Sequence, residues 1–302
     1  MKFTLRLTKR RVVVAAAVAV VALFIPLFLK WKTSSDNGGQ KPAEHFRIAG
    51  NLYYVGANDV TSFLITGPEG HVLIDGGYPG TAPMIMQSIA KLGFDIRDVK
   101  VLLNSHWHLD HAGGLAALQK ASGAELWVSE GDASTVARGG AGDPILGPFR
   151  FIMYLPGFHY PAPRVDHRFK DGAKIRVGPI ELTAHVTPGH TRGCTSWAFP
   201  VKDGNRELLA VDICGLELGL PVWLLERTYP EFRTDFEHTF ATLRSLPADI
   251  FLATHARHFG RWRKFQARAS AKNPADPFID RKGYLELIDN DERRFREQLE
   301  SK

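Results

Sequence analysis

His106-Trp107-His108-Leu109-Asp110-His111 places four side chains able to bind metal within six residues. A hydrophobic core has no use for such a cluster, because burying polar groups without partners costs free energy. Imidazole and carboxylate together suit zinc, and also iron or manganese. On an extended backbone His106 and His108, two residues apart, face the same side. Asp110 and His111 follow and can turn toward a second ion. His190 sits in Thr187-Pro188-Gly189-His190-Thr191 and His255 follows Thr254, each at the end of an apolar run. His258, three residues beyond His255, is the alternative to it. Three neutral histidines leave a tetrahedral zinc one open position for water, and one aspartate with two histidines does the same. Metal lowers the pKa of bound water from about 15.7 toward about 7, which supplies hydroxide at neutral pH. His45, His71, His159, His167, His185 and His238 lack ligand spacing and read as ordinary structural residues.

The elements that must position these residues are visible as short periodic runs. Residues 52–56, 62–66 and 71–75 are β-branched or aromatic and separated by turn residues, which predicts hairpin-connected strands. Residues 82–92 carry apolar side chains at helical spacing. A buried strand is predicted over 99–104, a helix over 111–122 and a strand over 125–129. The later half repeats the pattern, with strands at 174–177, 180–186, 195–199, 207–214 and 250–253 and a helix at 236–245. Residues 282–301 are strongly charged, with Leu285, Ile288, Phe295 and Leu299 on one side, and predict an amphipathic surface helix. Two successive runs of strands and helix suggest stacked mixed sheets flanked by helices, each metal-binding histidine leaving a strand end on one rim.

The chain has 302 residues, 44% hydrophobic and 23% charged, an ordinary globular composition. Its first 32 residues stand apart: a basic stretch, an apolar run over 12–29, then Lys30-Trp31-Lys32. This is the layout of an export signal or a membrane anchor, and either takes the domain out of the cytoplasm, to the periplasm or the inner membrane. Eighteen residues in a helix span roughly 27 Å, close to a bilayer core of about 30 Å. The same 32 residues hold seven lysines and arginines and no acid, so without them the formal charge falls from +6 to −1. The basic pI therefore says little about nucleic acid, and no basic stripe appears elsewhere. Residues 33–43 read as a polar linker, and 44–302 as the folded domain.

The motifs identify a resemblance to the metallo-β-lactamase superfamily, and within it to the subclass B3 metallo-β-lactamases. It is carried by VTSFLIT (60–66), GHVLIDGG (70–77), LLNSHWHLDHAGGLAALQ (102–119), TPGHTRGCTSW (187–197) and LATHARHFG (252–260). The resemblance implies an αβ/βα sandwich of two mixed β-sheets with metals at one edge. It implies a first zinc on His106, His108 and His190 and a second on Asp110, His111 and His255. It makes Asp75 a residue that orients the ligand loop. The implied reaction is opening of a β-lactam antibiotic's amide ring by metal-bound hydroxide, with Asp110 positioning the hydroxide and no serine or cysteine nucleophile. Trp107 and Phe158 are further candidates for the substrate pocket.

Three stretches depart from the family pattern. Where many relatives carry a serine beside the second metal, this chain has Gly215 or Ile213. Asp212, just before, is either a structural residue or a metal-bridging ligand, as in lactonases and thioester hydrolases of the superfamily, which are the alternative function. Residues 144–163 are long and apolar, suited to a lid, to core packing or to membrane contact. In 217–227, Trp223 could wall the pocket or fill the core. Cys194 and Cys214 are the only cysteines. A hairpin turning at Asp203-Gly204-Asn205 sets them directly opposite each other and allows a disulfide; the alternative is Cys214 as a metal ligand. A metal-binding protein without catalysis is the third class, against which the intact ligand set argues.

Overall fold

Alternation along a few short strands assigns each apolar side chain to one of two layers. The computed structural model describes residues 39–155 and 157–300. In chain order the elements are β1 (Phe46–Ala49), β2 (Leu52–Tyr54), β3 (Phe63–Ile65), β4 (His71–Ile74), α1 (Ala82–Lys91), β5 (Val99–Leu103), α2 (Leu109–Ala112), α3 (Leu115–Ser122), β6 (Glu125–Ser129) and α4 (Glu130–Val136). They continue as β7 (His167–Phe169), β8 (Lys174–Val177), β9 (Ile180–Val186), β10 (Thr195–Asp203), β11 (Arg206–Ile213), α5 (Val222–Thr228), α6 (Phe232–Ser245), β12 (Ile250–Ala253), α7 (Arg261–Ala267) and α8 (Arg281–Glu300).

The first sheet has the order β1-β2-β3-β4-β5-β6-β7, antiparallel up to β4 and parallel from β4 to β7. The second has the order β12-β11-β10-β9-β8, with only β11 and β12 parallel. Successive side chains point to opposite faces of a strand. Phe63, Ile65, Val72, Ile74, Val101 and Leu103 thus join the core between the sheets, with Leu182, Ala184 and Phe199 from the second. Their neighbours Leu64, Leu73, Leu102, Leu126 and Val128 face outward, against Ile85 and Ile89 of α1 and Leu115 and Leu118 of α3. On the opposite side Phe232, Phe236 and Phe240 of α6 and Tyr284, Ile288 and Phe295 of α8 complete the layering. This is the αβ/βα sandwich expected from the sequence.

The helix predicted over 111–122 is instead two helices, α2 and α3, broken at Gly113-Gly114. The break makes room for the turn after β4: a Cβ on Gly114 would lie 2.1 Å from the Gly76 carbonyl oxygen. The break also keeps Asp110 and His111 on a short helix of their own. Strands β1 and β7 and helices α4, α5 and α7 were not foreseen. Residues assigned to the linker already dock on the domain, with Pro42 bridged to Ala57 and the Asp59 N–H donating to the Gly39 carbonyl. The apolar run over 12–29 lies outside the described residues, among which no helix is long and apolar enough to cross a membrane.

Residues Pro144–Tyr154 form 3-10 turns kinked at Gly147 (φ 52°). Core packing holds their ends: Ile145 and Tyr160 are buried, and the Thr228 hydroxyl of α5 donates to the Ile145 carbonyl at 2.7 Å. The middle is exposed at Phe149, Phe151, Tyr154 and Leu155.

Cys194 and Cys214 form a disulfide with Cα atoms 5.9 Å apart. They are not directly opposite, as the sequence suggested. The register pairs Trp197 with Asp212 and Asp203 with Arg206, so the turn is Gly204-Asn205 and the bridge runs diagonally, just past the end of the ladder.

Candidate metal centre

Strand ends gather the ligands. β5 ends at Leu103 and leads through Asn104-Ser105 to His106; β9 ends at Val186 before the loop to His190; β12 ends at Ala253 before Thr254-His255. These loops are tied together. The Thr195 N–H donates to the Ser105 carbonyl at 2.8 Å, the Thr254 N–H to Ile213 at 3.0 Å, and the Thr61 N–H to Thr254 at 3.2 Å.

Two triads result: His106, His108 and His190, and Asp110, His111 and His255, with the ligand atoms of each within 4.8 Å of one another. These are the two sets expected from the sequence. No other histidine of the described residues joins such a group; His258 turns away and pairs with Glu217 at 3.0 Å. The third group, His106 with both cysteines, has its sulfurs locked in the disulfide, which removes Cys214 as a thiolate ligand.

Hydrogen bonds on the far side of the rings set their tautomers. His190 Nδ1 can only donate to the Glu217 carbonyl, at 2.7 Å, which leaves Nε2 with a lone pair 3.1 Å from His108 Nδ1. The Ser105 hydroxyl donates to Asp75 Oδ2 at 2.6 Å and so accepts from His106 Nδ1 at 3.0 Å. His111 Nδ1 lies 3.2 Å from Asp75 Oδ2, and His255 Nδ1 lies 3.2 Å from Asp59 Oδ2. The Asp110 carboxylate stands between the remaining Nε2 atoms, 3.3 Å from that of His111 and 3.5 Å from that of His255.

Electrostatics fit a cation here. Burial, reinforced by neighbouring rings, holds His106 well below the usual histidine range and His108 at about 3. Burial also lowers His190 and His255, so these four are neutral at pH 7 and can donate lone pairs. Burial opposes ionisation of Asp110, yet the charge and hydrogen bond of the adjacent His111 outweigh it and hold the carboxyl far below the carboxylate range. Burial likewise opposes a charge on His111, but Asp110 and Asp75 outweigh it and raise that ring to about 10. The protein has thus built a place for positive charge between Asp110 and Asp75.

A metal fits this donor set. His111 Nε2 is buried and faces the Asp110 carboxylate at 3.3 Å, so a cation lying between the two would serve both groups. The 3.1 Å separation of the His108 and His190 nitrogens is close to the edge of roughly 3.3 Å that tetrahedral zinc–nitrogen bonds of about 2.0–2.1 Å require. Asp212 takes no part in either triad. It is buried, and burial followed by the nearby Asp75 charge raises its carboxyl well above the usual range.

Asp75 is placed between the two triads. Its Oδ1 accepts the Ser105 N–H at 2.7 Å and its Oδ2 serves Ser105 and His111. It sits at φ 60°, a left-handed conformation that is rare and strained outside glycine. Asp59 and Asp132 were missed. Asp132 joins the two histidine loops, accepting the Trp107 N–H at 3.0 Å, the Gly193 N–H at 2.9 Å and the Thr191 hydroxyl at 2.8 Å. Their side-chain contacts span 25 to 198 residues, and no local spacing announces them.

A cleft of about 670 Å³ opens beside the first triad, lined by residues 218–223 with Glu226 and Gln298. It meets the first triad at Gly219, whose Cβ position would be 3.9 Å from the Cε1 atoms of His108 and His190. Trp223 walls it and is half exposed. Trp107 and Phe158 do not line it. Trp107 is buried among the outer-layer residues, its carbonyl held by the Tyr160 hydroxyl at 2.7 Å, and Phe158 is half-buried. Gly215 is a packing necessity: a Cβ there would lie 2.7 Å from the His190 ring. Ile213 is buried in the core.

The sandwich and its double triad define a metal-dependent hydrolase, and the chain belongs to the metallo-β-lactamase superfamily, whose family model matches residues 55–203. Among solved structures it is similar to the FEZ-1 metallo-β-lactamase of Legionella gormanii, at 37% identity and TM-score 0.80 over 86% of this chain and 97% of that one. It is also similar to BJP-1, a subclass B3 metallo-β-lactamase of Bradyrhizobium japonicum, at 33% identity and TM-score 0.79 over 88% and 97%. Curated relatives differ in activity. A hydroxyacylglutathione hydrolase of Rhodopseudomonas palustris (strain BisB18) is 25% identical over 65% of this chain, and the N-acyl homoserine lactonase AttM of Agrobacterium fabrum is 30% identical over 51%. The chain spans 62% and 64% of the length of these two.

Proposed function

We propose that this hydrolase is a two-zinc β-lactamase that opens the amide ring of a β-lactam antibiotic. The observation that carries the reading is the pair of complete triads, three histidines beside one aspartate and two histidines, in a chain similar to β-lactamases over nearly their whole length. His106, His108 and His190 would hold one ion, and Asp110, His111 and His255 the other. When bound, zinc supplies Lewis acidity and makes water acidic enough to ionise at neutral pH.

The chain's own groups do the remaining work. Asp110, ionised and partly open to solvent, can orient a water by accepting its hydrogen bond. The Glu217 carbonyl, Ser105, Asp75 and Asp59 keep the rings from rotating, so the site is organised before substrate arrives. Leu218, Leu220, Val222 and Trp223 give the cleft an apolar wall for the substrate's side chain. Both cysteines are bridged, so no thiolate nucleophile is available.

The rival reading, a lactonase or thioester hydrolase with Asp212 bridging the metals, has the curated relatives in its favour. Against it, Asp212 stands outside both triads, buried near Asp75. Turnover of a penicillin, a cephalosporin and a carbapenem should be compared with that of an acyl-homoserine lactone and a glutathione thioester. A β-lactam with the highest kcat/KM supports the proposal. A lactone or thioester as the sole substrate turned over would reverse it.

A further inference from the structure

Among the described residues, six large hydrophobic side chains are exposed: Phe149, Phe151, Tyr154, Leu155, Trp223 and Trp262. They flank the metal-bearing edge. Phe149–Leu155 belongs to the segment that packs on α5, which carries Trp223 on the wall of the cleft that reaches His108 and His190. Trp262 stands on the other flank, lining a hollow with Asp59 and Arg257, and Asp59 is the hydrogen-bond partner of His255. Arginines accompany both groups. Arg150 lies between Phe149 and Phe151, and Arg263 follows Trp262, both exposed.

The path of the chain argues for what covers this edge. The described residues begin at Gly39, whose carbonyl accepts the Asp59 N–H, so the N-terminal segment departs from beside the second triad. Nine residues, 30–38, separate Gly39 from the apolar run over 12–29. At no more than about 3.3–3.6 Å each they reach roughly 30 Å, which is short beside the size of the domain. A run of eighteen apolar residues between basic flanks suits a bilayer, and aromatic residues with arginines suit the zone where acyl chains meet anionic headgroups.

We propose that the metal-bearing edge rests on the lipid bilayer that residues 12–29 enter, with Phe151, Tyr154, Trp223 and Trp262 at the headgroup level and the cleft opening along the membrane surface. The proposal concerns where the domain sits and does not depend on which bond it hydrolyses.

The full chain, reconstituted in vesicles of phosphatidylethanolamine and phosphatidylglycerol with and without bromine on the acyl chains, tests this through tryptophan fluorescence. Both exposed tryptophans can be replaced by phenylalanine with little disturbance to packing, and W223F and W262F should retain the parent's circular dichroism. The parent is expected to lose fluorescence in brominated vesicles. Each variant should lose less, and the double variant should keep only the loss carried by Trp31. A double variant quenched as strongly as the parent would overturn the proposal, as would failure of the chain to associate with vesicles. Shielding of Trp223 and Trp262 from aqueous iodide without quenching by brominated lipid would also overturn it, because a second copy would then cover the edge.

Discussion

His111 Nδ1 and Asp75 Oδ2 are 3.2 Å apart, and both side chains are buried. The same carboxylate takes the Ser105 N–H and hydroxyl, so one residue orients a ligand of each triad, His111 directly and His106 through Ser105. Replacing Asp75 by alanine should therefore weaken both sites. Outer hydrogen-bond partners of metal ligands are worth about 10–100-fold in affinity. Competition of the D75A variant against a chromophoric zinc chelator should show that loss at both ions, and unchanged affinities would show that the rings are held by packing alone.

A Cβ at Gly215 would lie 2.7 Å from the ring of His190, and that ring is fixed by its Nδ1 on the Glu217 carbonyl. G215S would supply the hydroxyl that the family resemblance leads one to expect near this point, yet it should impair the first triad. The expected result is a roughly tenfold weaker first zinc, within the range for disturbed ligand orientation, with a smaller change at the second. A variant with parental zinc affinity and faster turnover would instead mean that the loop relaxes.

The bridge between Cys194 and Cys214 closes a loop of 20 residues, and Cys214 Sγ lies 3.5 Å from the Ser105 carbonyl. Chain entropy alone predicts that C194S/C214S loses about 3 kcal/mol of stability. Urea unfolding of the two proteins measures it, and a loss under about 1 kcal/mol would contradict the estimate from loop closure.

Asp132 gives a pH dependence with a definite sign. Burial outweighs its three hydrogen bonds and pushes its carboxyl up to about 7. The folded protein then holds this proton more tightly than the unfolded chain, whose carboxyl titrates near 3.8. The stability it contributes is full below about pH 4 and is lost as pH rises through about 7. Between pH 5 and pH 8 metal-free parent protein should lose more Tm than D132N, which cannot titrate there. A Tm difference that is constant over that range would contradict the assignment.

The fold and the first cluster of candidate ligands could be read before the structure because both are written in local patterns, whereas His190 and His255 were assigned to their triads through the resemblance. HxHxDH needs only six residues, and alternation in 71–75 and 99–104 needs only five or six. The helices around 113 were misjudged because the break answers a tertiary demand, the approach of Gly76 to Gly114. Asp59 and Asp132 escaped for the same reason, since their partners lie across the chain. The cysteine pair was found, but the turn is Gly204-Asn205, and that shift of half a residue makes the bridge diagonal. Trp107 has the look of a pocket residue because histidines flank it, yet the loop after β5 turns it into the outer layer.

Zinc titration of metal-free protein, with opening of a β-lactam ring followed by absorbance, tests the central claim most directly. The account predicts no turnover without metal, turnover that rises with zinc and saturates near two ions per chain, and a D110N variant that stays inactive at any zinc level. Penicillin, cephalosporin and carbapenem rings that all remain intact in the presence of fully zinc-loaded protein would contradict it.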